Sequence, residues 1–344
     1  MSDRVRVLIA DDSAFARKVL RELLAASPEV DVVGIARDGL EALERIEELR
    51  PDVLTLDLLM PNLDGIGVLR ALPAVHPPRV VVVSISDENS ALGVEALHLG
   101  AVVVVKKPTA LATERLYELG AELVAKVVAA ARARPVDRTT PVEPMRLQPA
   151  VQGRTRLVAI GTSTGGPQAL ARLLAGLPAD FPCPIAIALH IPEGYTQTLA
   201  SRLDHNCLLS VAEAEDGMPL VPGLAVLAPG GSHLVVERRA DQLLARVQPR
   251  RLGPDATLHV PSVTMLFESA AAQLGGAAMA VVLTGMGEDG LEGARKVRAA
   301  GGTVLTESES SCVVYGMPRA VWEAGVATAK APLEGMAALI GRSL

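Results

Sequence analysis

The sequence predicts an α/β protein of two domains, each built around a mostly parallel sheet covered by helices. Three observations carry this. At 344 residues the chain exceeds one ordinary core, since domains average about 100 to 200 residues. Short Val/Ile/Leu/Ala runs alternate with amphipathic stretches along most of its length, the pattern of strands joined through helices. Between residues 135 and 153 that alternation stops, and Pro135, Pro141, Pro144 and Pro149 stand among Thr, Arg and Gln with no apolar periodicity, which reads as a linker. The expected boundaries are 1–125 for the first domain, 126–153 for the end of its last helix plus the linker, and 154–344 for the second.

In the first domain the expected order is strand VRVLIA, helix 14–26, strand VDVVGIA, helix 39–49, strand VLTLDL, helix 65–74, strand VVVVSI, helix 89–98 and strand AVVVVK. A fifth helix rich in Ala, Leu, Glu and Lys runs from about Thr109 to Ala133. The second domain reads as RLVAI, a helix from Pro167, PIAIAL, a helix near 194–203, LLSVAEA, LAVLAP, HLVVER, LLARVQ, a helix 262–274, MAVVLT, a helix 290–299 and GTVLT. An antiparallel, hairpin-like portion is expected near 225–247.

Composition narrows the function. The 49% hydrophobic content is broken into runs shorter than the roughly 18 uncharged apolar residues of a membrane span, so no membrane insertion is expected. The amino end, MSDRVRVLIADD, lacks the pattern of a secretory signal, which predicts a cytoplasmic protein. Residues 1–107 hold 12 Lys and Arg against 17 Asp and Glu, and the remainder 21 against 22, so there is no basic surface to neutralise phosphates. With 2% aromatic residues there is little to stack on bases either, and nucleic acid is not expected as a partner. Cys183, Cys207 and Cys312 are odd in number and lack CxxC spacing, which argues for buried thiols rather than a disulfide framework or zinc site.

Asp11 and Asp12 follow the first strand directly and Asp57 closes the third. If these strands are parallel neighbours, three carboxylates meet at their carboxyl ends, the edge where open α/β sheets place ligands. Such a cluster suits Mg²⁺, which binds few protein oxygens and keeps several waters; a phosphoryl group on Asp57 would complete its shell. Ser84 and Lys107 end the fourth and fifth strands and can grip phosphoryl oxygens. The alternative is a set of solvated loop charges. In these five residues, over about residues 3–125, the chain resembles the response-regulator receiver domains, which implies a flavodoxin-like (βα)5 fold, phosphorylation of Asp57 by a histidine kinase, and Ser84 and Lys107 as switch residues. The resemblance extends to MPNLDG at Met60–Gly65. It implies a metal shell of Asp11, Asp12, Asp57 and the backbone carbonyl of Leu59, and a cis peptide before Pro108. Val104 departs from it, standing where receivers usually carry an aromatic switch residue, and Leu59 replaces a commoner polar type.

The second domain opens on Gly161-Thr162-Ser163-Thr164-Gly165-Gly166, a glycine-flanked turn between an apolar strand and a helix. Such a turn can present a nucleophilic serine or cradle a phosphate on helix amides. The turn itself has neither a Gly-Lys-Ser/Thr ending nor GxGxxG spacing, which favours the nucleophile. A serine needs a base and an orienter, and the remaining strand ends supply them: His190 terminates PIAIAL, and Asp289 follows MAVVLT within TGMGEDG. His233, at the start of a strand in APGGSHLVV, is the rival base, and Glu288 the rival orienter. His76 and His98 fall in the first domain, His205 at a helix or loop end, and His259 in a mid-domain connection. The order Ser, His, Asp differs from that of α/β-hydrolases, so the triad is expected on another sheet.

Taken together, GTSTGG, HIPEGYTQTLASRL, LAPGGSHL, HVPSVTMLF and LTGMGEDG resemble the catalytic domain of the chemotaxis protein-glutamate methylesterases, the CheB family, which follows a receiver in this order. The resemblance spans all but the linker and implies a doubly wound, mostly parallel second domain. It also implies Ser163, His190 and Asp289 as triad, and the backbone amide of Met286 as oxyanion donor. The implied reaction is hydrolysis of glutamyl methyl esters on the cytoplasmic domains of chemoreceptors, with deamidation of selected glutamines, without a cofactor in the esterase and with Mg²⁺ confined to the receiver. Leu189, where many members carry glutamine, and Thr264, where aspartate is usual, are departures. The alternative is a phosphorylation-controlled, receptor-binding adaptor whose esterase is inactive.

Overall fold

A computed structural model describes residues 4–84, 90–107, 113–133, 155–250 and 257–344, so the expected proline-containing linker and Pro108, with its expected cis peptide, lie outside the described residues. The chain divides into two compact units, 1–133 and 134–344.

The first unit runs β1 (Val5–Ala10), α1 (Ala14–Ala25), β2 (Val30–Ala36), α2 (Gly39–Leu49), β3 (Val53–Leu56), α3 (Gly65–Ala71), β4 (Arg79–Ser84), α4 (Ser90–Leu99), β5 (Val103–Lys106) and α5 (Thr113–Ala131). Ser13, Asp38 and Asp64 cap α1, α2 and α3, their side chains accepting from the N–H groups of Ala16, Glu41 and Gly67 and so satisfying helix-end donors that have no partner within the helix. Helix α3 stops at Ala71, short of the expected residue 74, because Leu72 precedes Pro73 and is forced into extended backbone (φ −56°, ψ 142°). The five strands pair in parallel in the order β2-β1-β3-β4-β5. The order reverses between β1 and β3, the two strands whose ends carry Asp11, Asp12 and Asp57, and such a switch point opens a crevice at the sheet edge.

The second unit runs β6 (Leu157–Thr162), α6 (Gly166–Ala175), β7 (Ile185–Leu189), α7 (Thr196–Asn206), β8 (Ser210–Glu213), β9 (Leu224–Leu227), β10 (Ser232–Arg239), β11 (Gln242–Pro249), α8 (Val263–Leu274), β12 (Ala278–Val282), α9 (Leu291–Ala299), β13 (Thr303–Glu307), α10 (Met317–Glu323), β14 (Ala329–Ala331) and α11 (Leu333–Arg342). Seven strands form one sheet in the order β14-β13-β12-β6-β7-β9-β8, parallel throughout. The antiparallel portion is narrower than the expected 225–247: β9 pairs in parallel with β7 and β8, and only β10 and β11 pair antiparallel, as a separate two-stranded sheet. The physical reason lies in burial. LAVL of β9 is almost wholly buried, as an interior strand must be, whereas β10 and β11 each keep a wetter set of side chains and cover α8 with Leu234, Val236, Leu243 and Ala245. Beyond residue 306, where the apolar alternation weakens, the structure adds α10, β14 and α11. Among the described residues no helix is long and apolar enough to cross a membrane.

Gly161 in β6 decides how closely α8 approaches the sheet. A Cβ there would lie 2.1 Å from Cγ1 of Val263, the first residue of α8, so Gly161→Ala is expected to destabilise the second unit by about 1–3 kcal/mol through overpacking. Adding Val263→Ala should recover most of the loss. Urea unfolding followed by the fluorescence of Trp322, the single tryptophan, reads this unit alone; a double variant no more stable than Gly161→Ala would show that α8 is not seated by this contact.

Candidate active site

Strand order reverses again in the second sheet, between β12 and β6, and the serine turn leaves β6 at that point. Ser163 is the first residue past the strand, 8% exposed. Its N–H donates to the Thr284 carbonyl at 3.1 Å and its own carbonyl accepts from Gly166 N–H at 2.8 Å, which closes the turn into α6. Gly165 sits at φ +80°, and a Cβ there would come within 2.6 Å of Val313; both the left-handed backbone and the close approach require glycine.

His190 is the first residue past β7. Thr162 and Leu189 are register partners, and His190 N–H donates to Thr162 O at 3.1 Å, so Ser163 and His190 leave adjacent parallel strands side by side. The imidazole Nε2 lies 2.9 Å from Asp289 Oδ2. A carboxylate only accepts, so Nε2 carries the proton and Nδ1 is the basic nitrogen.

Asp289 comes from the loop after β12 and caps α8. Its Oδ2 accepts from Val263 N–H at 2.8 Å, and its Oδ1 from Thr264 N–H at 3.0 Å and Ser262 Oγ at 3.2 Å. Burial pushes its pKa up, but the hydrogen bond and charge of His190, with the bonds from Thr264, outweigh burial and hold the carboxyl well below the usual carboxylate range. The rival Glu288 is exposed. Thr264 accepts from Gly290 N–H at 2.8 Å, tying the same loop to α8, and Leu189 is 1% exposed, a core residue under the turn.

The rival base His233 is engaged elsewhere. It is 3% exposed, its Nδ1 accepts from Ser262 N–H at 3.1 Å, and its Nε2 lies 3.3 Å from Thr257 Oγ1. It pins the segment 257–262 from which α8 starts. That segment also carries a residue that sequence spacing hides: His259 stacks on His190, ring centroids 4.3 Å apart and planes 17° from parallel. Its signals in the sequence are its place four residues before Val263, the first residue of α8, and its position at the head of HVPSVTMLF.

Met286 lies in the loop that follows β12. Gly285 pairs with the strand-like segment at Tyr315, its carbonyl accepting from Gly316 and Met317 N–H at 3.0 and 2.8 Å. A Cβ on Gly285 would lie 2.9 Å from Ser163 Cβ, and one on Gly316 3.1 Å from Met286 Cα, so the loop lies directly against the serine turn. A hydroxyl, an imidazole and a buried carboxylate on three neighbouring strand ends, beside two glycine-rich loops, can perform acyl transfer.

In the first unit the acidic cluster forms as expected: carboxylate oxygens of Asp11, Asp12 and Asp57 lie within 4.8 Å of one another. Lys107 Nζ lies 2.8 Å from Asp11 Oδ2 and 2.7 Å from Asp57 Oδ2, with all three side chains buried. Burial raises the Asp11 pKa despite Lys107; for Lys107 burial pulls down, but Asp11 and Asp57 outweigh it and hold the ammonium charged. Three carboxylates sharing one ammonium leave excess negative charge, so the donor set fits a hard divalent cation. Ser84 is buried, and its carbonyl accepts from Lys107 N–H at 2.7 Å. The Leu59 side chain is 52% exposed while its N–H lies 3.5 Å from Asp57 Oδ1, so that residue meets the site through its backbone. Val104 is buried in mid-strand opposite Val82. Cys183 and Cys312 are buried as expected, Cys207 partly so, and none of the three is in a disulfide.

Comparison with known proteins identifies the family of each unit. The family profile "CheB methylesterase" matches residues 158–340 and "Response regulator receiver domain" residues 7–118. The chain is similar to a Myxococcus xanthus protein named protein-glutamate methylesterase/protein-glutamine glutaminase 5, 60% identical over 98% of this chain and 97% of the relative. A Thermotoga maritima protein-glutamate methylesterase/protein-glutamine glutaminase is 42% identical over 95% of each. Among solved structures, the Thermotoga maritima CheB methylesterase catalytic domain superposes with a TM-score of 0.52 at 37% identity, covering 55% of this chain and 99% of that one.

The depressed pKa of Asp289 carries a sign. Against an ordinary value of 3.8, its contribution to stability is fully present above that value and is lost as pH falls toward the lower folded value. Asp289→Asn should therefore be less stable than wild type at pH 7, by about 1–3 kcal/mol, with the gap narrowing below pH 4 in urea unfolding read at Trp322. A gap that stays constant down to pH 3 would contradict the assignment.

Proposed function

The chain belongs to the CheB methylesterase family, and from that premise we propose that it is a phosphorylation-regulated hydrolase. It removes methyl groups from glutamyl methyl esters on the cytoplasmic domains of chemoreceptors and deamidates selected glutamines there. The observation that carries this reading is the His190–Asp289 bond of 2.9 Å, set on a strand end adjacent to that of Ser163.

Ser163 Oγ attacks the ester carbonyl while His190 Nδ1 accepts its proton. Asp289 holds the other ring nitrogen and stabilises the imidazolium that forms. The oxyanion is received by the N–H of Met286 and by the amides of the turn entering α6. Those are the ones ahead of Gly166, whose N–H is already taken by Ser163 O; each such donor is worth about 3 kcal/mol. Collapse breaks the ester C–O bond, or the C–N bond of a glutamine amide, and the proton on Nδ1 leaves with methanol or ammonia respectively. A water then gives a proton to Nδ1 and attacks the acyl-enzyme; the acyl C–Oγ bond breaks, Nδ1 returns the proton to Ser163 Oγ, and the glutamate side chain is released.

In the receiver, Asp57 takes a phosphoryl group from a histidine kinase. Asp11, Asp12, Asp57 and the Leu59 carbonyl would hold Mg²⁺, which when bound neutralises phosphoryl oxygens during transfer. Ser84 and Lys107 grip the phosphoryl group, Lys107 exchanging one anionic partner for another. With Val104 in place of an aromatic, the signal travels through Ser84 rather than a ring. Phosphorylation relieves inhibition of the esterase, and both partners place the protein in the cytoplasm.

Methanol release from methylated receptor membranes tests the chemistry: Ser163→Ala and His190→Ala should each lose activity by about a million-fold. Wild type that releases no methanol, while still binding receptor, would instead mark an adaptor. Asp57→Ala, still folded, should give the same rate with and without a small-molecule phosphodonor; stimulation equal to that of wild type would overturn the role of Asp57.

A further inference from the structure

Glu307 ends β13 and is 0% exposed, yet among the described residues no Lys, Arg or His forms an ion pair with it. Burial pushes its carboxyl pKa up, against hydrogen bonds from Thr284, Ser311 and Cys312. A buried carboxyl without a cation costs more than an apolar side chain of similar size, so stability alone does not account for it. Its contacts point toward the serine turn. Oε2 accepts from Thr284 N–H at 2.8 Å and Oε1 from Ser311 Oγ at 2.9 Å.

Thr284 in turn has every polar function engaged. Its carbonyl accepts from Thr162 Oγ1 at 2.7 Å and Ser163 N–H at 3.1 Å; its hydroxyl donates to Thr164 O at 3.0 Å and accepts from Val314 N–H at 2.9 Å. It thereby bonds to Thr162, Ser163 and Thr164 of the nucleophile turn, and the next two residues are Gly285 and Met286.

We propose that Glu307 is a positioning residue for the esterase reaction: by fixing Thr284 N–H it sets the alignment of Ser163 against the Met286 amide. This rests on the hydrolase reading above. Removing the acceptor frees Thr284 N–H, and a turn about the Thr284 backbone then shifts Thr284 O, which holds Ser163 N–H, together with Gly285 and Met286 that follow it, so the nucleophile and the oxyanion donor lose register at once. Substrate binding, which these groups do not make, is spared.

The test uses the full chain, with rates normalised to Ser163 sites titrated by a fluorophosphonate probe. Two readouts are taken, the rate of probe labelling and methanol release from methylated receptor membranes. Glu307→Leu should label and turn over about 30- to 100-fold more slowly, with KM within about twofold. Glu307→Gln keeps an oxygen for Thr284 N–H and an amide for Ser311 Oγ, and should stay within about threefold of wild type. Glu307→Met, which fills a similar volume but offers no oxygen to Thr284 N–H, should show the same fall in kcat at unchanged KM, and it decides the matter should the leucine variant not fold. A purely structural role would lower the melting temperature and the titratable fraction, leaving the rate per active site as in wild type; that result, or equal losses in Gln and Leu variants, overturns the proposal. Wild type that labels but releases no methanol overturns the methylesterase reading alone, because labelling still reports alignment; wild type that does not label overturns both.

Discussion

One carboxylate organises the second domain. Asp289 accepts three hydrogen bonds from the start of α8 and a fourth from His190, so the helix entrance, the loop after β12 and the imidazole at the end of β7 share a single anchor. The charge sits where the partial positive end of α8 welcomes it. Its depressed pKa therefore keeps the helix cap and the orientation of His190 on one and the same ionised form. Gly161 belongs to this arrangement, because only a residue without Cβ lets Val263 close on β6.

Both units use one geometric device. A parallel sheet whose strand order reverses leaves a crevice at the carboxyl ends of its central strands, and each unit places its reactive residues there. The electrostatics differ. The first unit crowds three carboxylates around one buried ammonium, an arrangement short of positive charge and suited to a cation. The second sets a single carboxylate against a single imidazole and three donors at the start of α8. The first site fits a group brought from outside; the second is complete in its side chains.

Much of this was legible in the chain. Strand ends could be read from apolar runs, and residues with chemistry at strand ends could be collected: Asp11, Asp57, Ser84, Lys107, Ser163, His190 and Asp289 all lie where that reading puts them. What escaped has a common cause. β9 and the hairpin strands carry similar local patterns, and only pairing tells a buried parallel strand from a half-solvated ribbon. His259 stands in a connecting segment without periodicity and His233 at the start of β10, so neither the stacking on His190 nor the pinning of residues 257–262 leaves a trace in spacing. Glu307 looks like any polar residue closing a strand until the loop 308–316 folds over it.

By itself the sequence determined the alternation of elements, the glycines that admit sharp turns and the identity of the reactive side chains, because these follow from local backbone sterics and the polarity of short segments. Only the tertiary structure decided which histidine meets Asp289, that one carboxylate both caps α8 and orients the base, and that a buried glutamate reaches the nucleophile turn through Thr284. Those contacts join residues tens of positions apart, and their distances depend on strand order and on how closely helices approach the sheet, quantities that no local pattern encodes.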